Sequence, residues 1–442
     1  MNTNKAQITN IDIQKELLEE AKTDGNPKKI CEILGKISHN LVEANLAEEA
    51  LIYLDEAIIL SEQNNLEKIK ATNLGNRGVA LVRLKRLDEA RDHFDKVEEI
   101  AEKIKDPALK CDALLQKAMM HFEMSRGDLV QDDLLKALEI TKEIGDYDRE
   151  MKASALLGHN LFSIASFDEA ATYFKNSLEL AEKSNNKKAQ AGYHHNLGNV
   201  YYSAGVSEEA ITHLLKAIEF FKEFGDQQGE VSALIRLVKS YAENDEPEKT
   251  YETAKVGFDL AKSIDDKKAL NSFFNLLMIA SSHLGMKEDV LSLIDEAMIL
   301  ANEDKDEDRK LNLYISRGNT YFEMDKLEEA KEAYLEGLDI SIRLQSWELK
   351  TRILGRMGAI EAELKNLDKS IEYSKEALEV AKKVGDRRLI GEQFVMLAFS
   401  ARDQGDVDSA KAYVENAKEH FSIIEAQAAL DKLDQFVEEM AT

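Results

Sequence analysis

A step of forty residues lands on the same place in a repeated pattern from one end of this chain to the other. Counting from Ser38 gives Gly78, Ala118, Gly158, Gly198, Val238, Met278, Gly318, Gly358 and Ala398, all small except Val238 and Met278. Counting from Ala50 gives Ala90, Val130, Ala170, Ala210, Thr250, Val290, Ala330, Ser370 and Ala410. Counting from Ala57 gives Val97, Ala137, Ser177, Ala217, Gly257, Ala297, Gly337, Ala377 and Ala417. No insertion or deletion breaks the register. A fixed period of this length marks a stacked-repeat architecture, in which each repeat buries its apolar face only against its neighbours. The 442 residues would otherwise point to about three separate domains. The repeat makes them one quasi-linear body.

One period, residues 192–228, shows what each repeat is. Leu197, Val200, Tyr201 and Ala204 follow a helical 3,4 spacing. Gly205 interrupts, and Ser207-Glu208-Glu209 opens a second helix with Ala210, Leu214, Ala217, Ile218 and Phe221 on one face. Gly225-Asp226 closes it, Gly suiting the left-handed C′ position and Asp opening the next turn. The repeat is therefore helix, turn, helix, turn. Gly198 is expected where the two helices cross at close range. Leu214 fills the remaining gap, as do its equivalents Phe94, Phe174 and Tyr334. Only 3 prolines occur in the chain, in keeping with helix throughout.

A second ladder runs from Glu48 through Asp88, Asp128, Asp168, Glu208, Glu248, Glu288, Glu328, Asp368 and Asp408, all acidic and all at the start of a second helix. Carboxylates there are expected to cap free N–H groups and to meet the positive end of the helix dipole. Part of the net charge of −26 is thus structural, the rest coating exposed helix faces. That charge disfavours nucleic acid or an anionic membrane as the main ligand, since both need a basic footprint. Cys31 and Cys111 lie two repeats apart, a separation of roughly 20 Å or more if each repeat adds two packed helices, too far for a disulfide. Reduced thiols, the lack of an apolar leader after Met1 and the lack of a run of ~20 apolar residues give a cytoplasmic expectation.

The expected organisation is an N-terminal helix within 1–29 (an incomplete leading repeat), ten 40-residue repeats over 30–422 and a C-terminal capping helix over 423–442. The segment 229–290 departs most from the pattern. It has Val238 and Met278 at small-residue places, Thr250 and Gly257 in place of alanines, and Asn244-Asp245-Glu246-Pro247 in a turn. It is expected to be a looser interface. Trp347 is expected to pack in a turn between repeats. Arg352 and Arg356, with Arg387, Arg388 and Arg402 nearby, read either as surface charges paired with the abundant Glu or as a basic patch.

Gly158…Ala170…Phe174 and Gly318…Ala330…Tyr334 resemble the small/Ala/aromatic pattern of tetratricopeptide repeats (TPRs). The common TPR has about 34 residues and HEAT repeats about 40 or more, so the period alone does not choose; the residue pattern favours TPR. The longer repeat is similar to the TPRs of the Pins-like leucine-glycine-asparagine adaptors. Leu197-Gly198-Asn199 and Arg317-Gly318-Asn319 carry that signature in register, and Leu74-Gly75-Asn76 carries it out of register. The resemblance implies an all-α, right-handed TPR superhelix (an α-solenoid) of about ten helix-turn-helix repeats plus terminal capping helices. It also implies a concave groove lined by the first helices.

In the middle of the chain the lining positions implied by the resemblance are His159, Phe162, His195, Asn199, Tyr202, Arg236, Lys239, Asn275, Asn319 and Phe322. Asn can pair with a peptide's N–H and C=O together, aromatics supply apolar pockets, and Arg can hold a carboxylate. The sequence shows no HExxH, CxxC, phosphate-binding loop, dinucleotide fingerprint or nucleophile elbow. His194-His195 is a poor chelate, since adjacent helical side chains diverge by about 100°. The expectation is a non-enzymatic scaffold or adaptor with a protein or peptide partner, and no nucleic acid, membrane, cofactor or metal. The alternative is a regulatory or sensor subunit whose superhelix changes shape on binding and controls an effector such as a kinase, transcription factor or caspase-like peptidase.

Overall fold

The computed structural model describes residues 2–440, with side chains from residue 11 onward. All its regular structure among these residues is α-helical. α1 (Asn2–Asp24) leads. Ten sequence pairs follow: α2 (Pro27–Glu43) and α3 (Ala47–Gln63), α4 (Glu67–Arg83) and α5 (Leu87–Ile104), α6 (Pro107–Glu123) and α7 (Gly127–Ile144), α8 (Tyr147–Ser163) and α9 (Phe167–Lys183), α10 (Lys187–Ser203) and α11 (Ser207–Phe224), α12 (Gln227–Glu243) and α13 (Pro247–Ser263), α14 (Lys267–His283) and α15 (Lys287–Asp304), α16 (Glu307–Glu323) and α17 (Leu327–Arg343), α18 (Trp347–Glu363) and α19 (Leu367–Val384), α20 (Arg387–Asp403) and α21 (Val407–Ile423). α22 (Gln427–Glu439) closes the series, beginning after a turn over 424–426. Packing divides the chain into two compact units. Unit 1 is Met1–Glu246 with Asp259–Asp265, and unit 2 is Pro247–Phe258 with Asp266–Thr442. The division falls inside 229–290, the segment whose sequence departs most from the repeat.

The backbone period is twenty, half the sequence period. From Gly25 to Glu425 every twentieth residue is left-handed, with φ between 51° and 83°. Seven of these residues are Gly; the others include Lys85, Ala165, Gln345 and Glu425. Most of them end a helix in the same way. After α10, the Gly205 N–H donates to Tyr202 C=O at 3.0 Å and the Val206 N–H to Tyr201 C=O at 2.9 Å. This paired closure satisfies carbonyls that a helix end leaves free. The next residue is already the N-cap of the following helix, so two or three residues suffice to reverse the chain.

The two half-periods differ in how that N-cap works. Before eight of the ten first helices it is Asn26, Asp106, Asp146, Asn186, Asp226, Asp266, Asp306 or Asp386, each accepting a backbone N–H with its side chain, whereas Leu66 before α4 and Ser346 before α18 make no such bond. Before second helices only Asp406 does so. The acidic ladder from Glu48 to Asp408 lies one residue inside the second helices. It therefore acts on the helix dipole and does not cap, contrary to the expectation that it would do both. Trp347, expected to be packed, is the first residue of α18 and 46% exposed.

Within a pair, the small residue of the first helix meets the residue sixteen positions on. A Cβ at Gly78 would stand 2.4 Å from the Phe94 ring, at Gly198 2.5 Å from Leu214 Cγ and at Gly318 2.6 Å from the Tyr334 ring. Where the large partner is Leu or Val, as at Leu54, Leu134 and Val414, the small place holds Ser38, Ala118 or Ala398. These three pairs trade volume between the two places, a trade that Gly198 with Leu214 and Gly358 with Ser374 do not follow. Phe94, Phe174, Leu214 and Tyr334 are fully buried, each contributing about 1.5–3 kcal/mol of apolar burial. Both thiols are buried, Cys31 Sγ 3.4 Å from Ala57 O and Cys111 Sγ 3.9 Å from Ala137 O. Burial pushes the Cys111 thiol up to about 12.

Two outcomes follow in denaturant melts. Gly78→Ala should destabilise by about 1–3 kcal/mol through overpacking, and adding Phe94→Leu should recover most of that loss, because Ala118 and Leu134 already form such a pair. Strictly additive losses would contradict that trade. Ala165→Gly, at φ 59°, should stabilise by about 1 kcal/mol by removing left-handed strain.

Candidate functional site

On unit 1 the first helices α8, α10 and α12 bring seven of the ten expected residues to their faces. A fixed step of thirty-seven residues joins neighbouring first helices. Asn196 Nδ2 donates to His159 Nε2 at 3.3 Å, and Arg236 Nε donates to Asn199 Oδ1 at 2.7 Å. Because Arg is only a donor, Asn199 must present its oxygen to Arg236 and its amide to His195, whose Nε2 lies 3.2 Å away. The His195 proton then sits on Nδ1. The Arg236 guanidinium also lies 4.7 Å from the centre of the Tyr202 ring, a cation–π contact. His195, Asn199, Tyr202 and Arg236 are thus one wired cluster, with Lys239 one turn beyond Arg236 on α12.

Burial and the neighbouring Arg236 hold His195 well below the usual histidine range, at about 4. Behind it, His194 and His213 share a proton between Nδ1 atoms 2.9 Å apart. Burial, the other imidazole and Lys216 lower His194 to about 4; burial and nearby lysines, first Lys216, lower His213 to about 4. The cluster is accordingly neutral at the imidazoles and cationic only at Arg236 and Lys239. Burial, then the Glu243 carboxylate, raises the Tyr202 hydroxyl, which stays protonated and able to donate. The arrangement offers a fork for a carboxylate beside donors and an aromatic face, which is the equipment of peptide recognition.

The other expected residues sit differently. His159 packs edge-on to Phe174, ring centres 4.9 Å apart. Phe162 lies 5.8 Å from Phe167 and packs on the core of Leu157, Leu161 and Phe174. On unit 2, Asn275 is exposed on α14, Phe322 packs against the core of Leu311, Tyr334 and Ile353, and Asn319 accepts the Tyr334 hydroxyl at 2.6 Å. Asn319 also borders a cavity of about 1100 Å³, whose Gln393 the sequence reading did not select. A second cavity, about 880 Å³, opens on α2 and α4 of unit 1 beside Asn40, Asn73 and Asn76; its signal was the run of polar residues at first-helix face positions. Among the described residues no group of three or more His, Cys, Asp or Glu could hold a metal ion. No described helix is long and apolar enough to cross a membrane.

Tetratricopeptide-repeat family models match residues 152–223, 311–341 and 351–384. The chain carries tetratricopeptide repeats over these residues. The first match spans most of α8 to α11, so the His195–Asn199–Tyr202 face belongs to a TPR pair. Two curated relatives come from Bacillus subtilis (strain 168). Regulatory protein RapG is 23% identical over 128 residues, covering 28% of this chain and 35% of the relative. Response regulator aspartate phosphatase J is 25% identical over 170 residues, covering 38% and 45%. The chain thus spans less than half the length of either. Among solved structures it is similar to aspartyl phosphate phosphatase F from Bacillus subtilis, with 17% identity, 76% of this chain and 90% of that chain covered, and a TM-score of 0.46.

The neutral histidines set a pH dependence. Their folded pKa values, about 4, lie below the ~6.5 of an unfolded chain, so the unfolded state binds more protons between those limits. Their contribution to stability is complete above about pH 6.5 and is lost as the pH falls toward about 4. Denaturant midpoints of the unit 1 transition should fall across that window, and His195→Gln should flatten the slope. An unaltered slope would mean that His195 titrates normally.

Proposed function

We propose that this TPR protein acts by binding, gripping a segment of a protein or peptide partner on the first-helix face of unit 1, and that it serves as an adaptor or regulatory subunit. The observation that carries this reading is the Asn199–Arg236 bond with its attached His195 and Tyr202. It fixes the rotamers of four groups before any partner arrives, which lowers the entropy lost on binding. Arg236 uses only Nε in that bond, so its terminal nitrogens can face an acidic group of the partner. The names of the curated relatives, a regulatory protein and a response regulator aspartate phosphatase, support a regulatory role that involves another protein.

The second of those names favours one other reading, hydrolysis of an acyl phosphate on a partner. It is separated from binding by a release assay: phosphate release from an aspartyl-phosphorylated response regulator that scales with added chain would move the assignment to an enzyme.

Quantitative pull-down from the native cell extract checks the binding reading. The double variant Asn199→Ala with Arg236→Ala should keep the helical content of the parent and lose the main captured protein, by about tenfold or more for a charge-assisted contact. Equal recovery by both baits would remove the site from this face.

A further inference from the structure

The cavity of about 1100 Å³ on unit 2 has room for any ligand that fills the ~300–1,000 Å³ common for small-molecule sites. Its walls come from α16, α18 and α20, and α22 closes it with buried Leu433 and Phe436. Its side chains follow the step of thirty-seven residues that joins neighbouring first helices. Asn319, Arg356 and Gln393 stand on one such row, Phe399 and Phe436 on another. The aromatic row closes, its two rings 4.3 Å apart. The polar row does not. In unit 1 the step gives the Arg236–Asn199 bond, but here the Asn319 oxygen accepts the Tyr334 hydroxyl at 2.6 Å. Leu214 holds the place of Tyr334 in unit 1 and has no hydroxyl to offer.

The charges of the cavity divide into engaged and unengaged groups. Arg352 is paired with Glu348 and Arg388 with Glu392. Asp386 accepts backbone N–H groups as the N-cap of α20. Arg356 and Lys432 remain, two cations at the cavity with no hydrogen bond or ion pair among the described residues. Lys432 stands one turn before Phe436 on α22, so a positive group lies beside the aromatic wall.

A second, independent observation lies deeper. Gln393 lines the same cavity and is 4% exposed, and neither end of its amide has a hydrogen-bond partner among the described residues. It lies flat over Gly355, where a Cβ would meet Oε1 at 3.0 Å and Nε2 at 3.1 Å. The same place in the two preceding first helices holds Leu313 and Ile353, so packing does not ask for an amide. An unmet buried polar group is costly. A half turn about the terminal bond exchanges the two ends of the amide, which together fit a ligand edge that has a donor next to an acceptor.

We propose that this cavity binds a free purine nucleotide, adenosine monophosphate, with its phosphate between Arg356 and Lys432, its adenine edge on the Gln393 amide and its ring against Phe399. A phosphomonoester carries close to two negative charges near neutral pH, matching the two unengaged cations. Arg356 offers the fork that fits two phosphate oxygens. Glutamine makes two bonds to the amino group and ring nitrogen on one edge of adenine, whereas guanine presents two acceptors there. An aromatic ring gives the base a stacking face. Inorganic phosphate leaves both the amide and the aromatic wall unmet, and a fatty acid leaves the amide unmet. Tyr334 is the positioning residue: by occupying Asn319 it keeps Arg356 available. The site shares no residue with the face of unit 1, so the two stand or fall separately.

The test is isothermal titration of the full chain with adenosine monophosphate, adenosine, guanosine monophosphate and a phosphate-ended oligoadenylate. Adenosine monophosphate should bind roughly tenfold or more tightly than adenosine or guanosine monophosphate. Arg356→Gln should erase its advantage over adenosine. Gln393→Leu should keep or raise the melting temperature while erasing the advantage over guanosine monophosphate, which a merely structural glutamine would not do. Tyr334→Phe, a residue already present at positions 94 and 174, frees Asn319 to take Arg356 and should weaken adenosine monophosphate more than adenosine. Asn199→Ala with Arg236→Ala should leave all four titrations unchanged. No binding of adenosine monophosphate at millimolar concentration, equal affinity for it and either of the other two small ligands, or an unaltered base preference in Gln393→Leu would each overturn the proposal. Tighter binding of the oligoadenylate than of the mononucleotide would overturn it too, by making the ligand the end of a nucleic acid.

Discussion

Everything in this chain depends on a left-handed residue placed every twenty positions. At most of these places that residue and the one after it close a helix with backbone hydrogen bonds, and the one after it is the N-cap of the next helix. Helices of 17 or 18 residues and turns of two or three then follow over nearly the whole length. Since a helix advances by about 100° per residue, a constant helix length returns each successive helix to the same angular phase. The apolar stripes therefore always face their neighbours, and the remaining face is always the same set of positions.

On that frame two further steps carry the specificity. A step of sixteen pairs a small residue with a large one inside each helix pair, as Gly78 with Phe94 and Gly198 with Leu214. A step of thirty-seven links the exposed faces of neighbouring first helices, as His159 with Asn196 and Asn199 with Arg236. The first step is a packing step, and several of its pairs trade volume between the two places. The second is polar, and one hydroxyl redirects it. Tyr334 belongs to the first step by its ring and to the second by its oxygen.

The forty-residue period was legible because small residues can be counted, and the helix-turn-helix repeat was legible from Gly198, Ala210 and Ala217. The twenty-residue backbone period was not. At Lys85, Ala165, Gln345 and Glu425 the left-handed residue is not glycine, so the strain is carried without leaving a compositional mark. The acidic ladder drew attention to the second helices, while the residues that cap lie before the first helices, at Asp106, Asp226 and Asp306. In the candidate site, His195, Asn199, Tyr202 and Arg236 were readable as face positions. Phe162 and Phe322 stand at the edge of that face and turn toward the core, a difference of a fraction of a helical turn. Gln393 was unreadable because its missing partner is a property of its surroundings.

The half-period also governs how such a chain can change length. Removing twenty residues would leave the backbone turns in phase but turn every later first helix into a second one, placing capping Asp and Asn where Leu, Val or Met now stand and moving the face residues into the stack. Removing forty would preserve both. A length change of one or two residues would rotate all that follows by a quarter to a half turn and bury the polar face. Viable descendants of this sequence should therefore differ from it in whole multiples of forty, and its lengths, like its helices, are quantised.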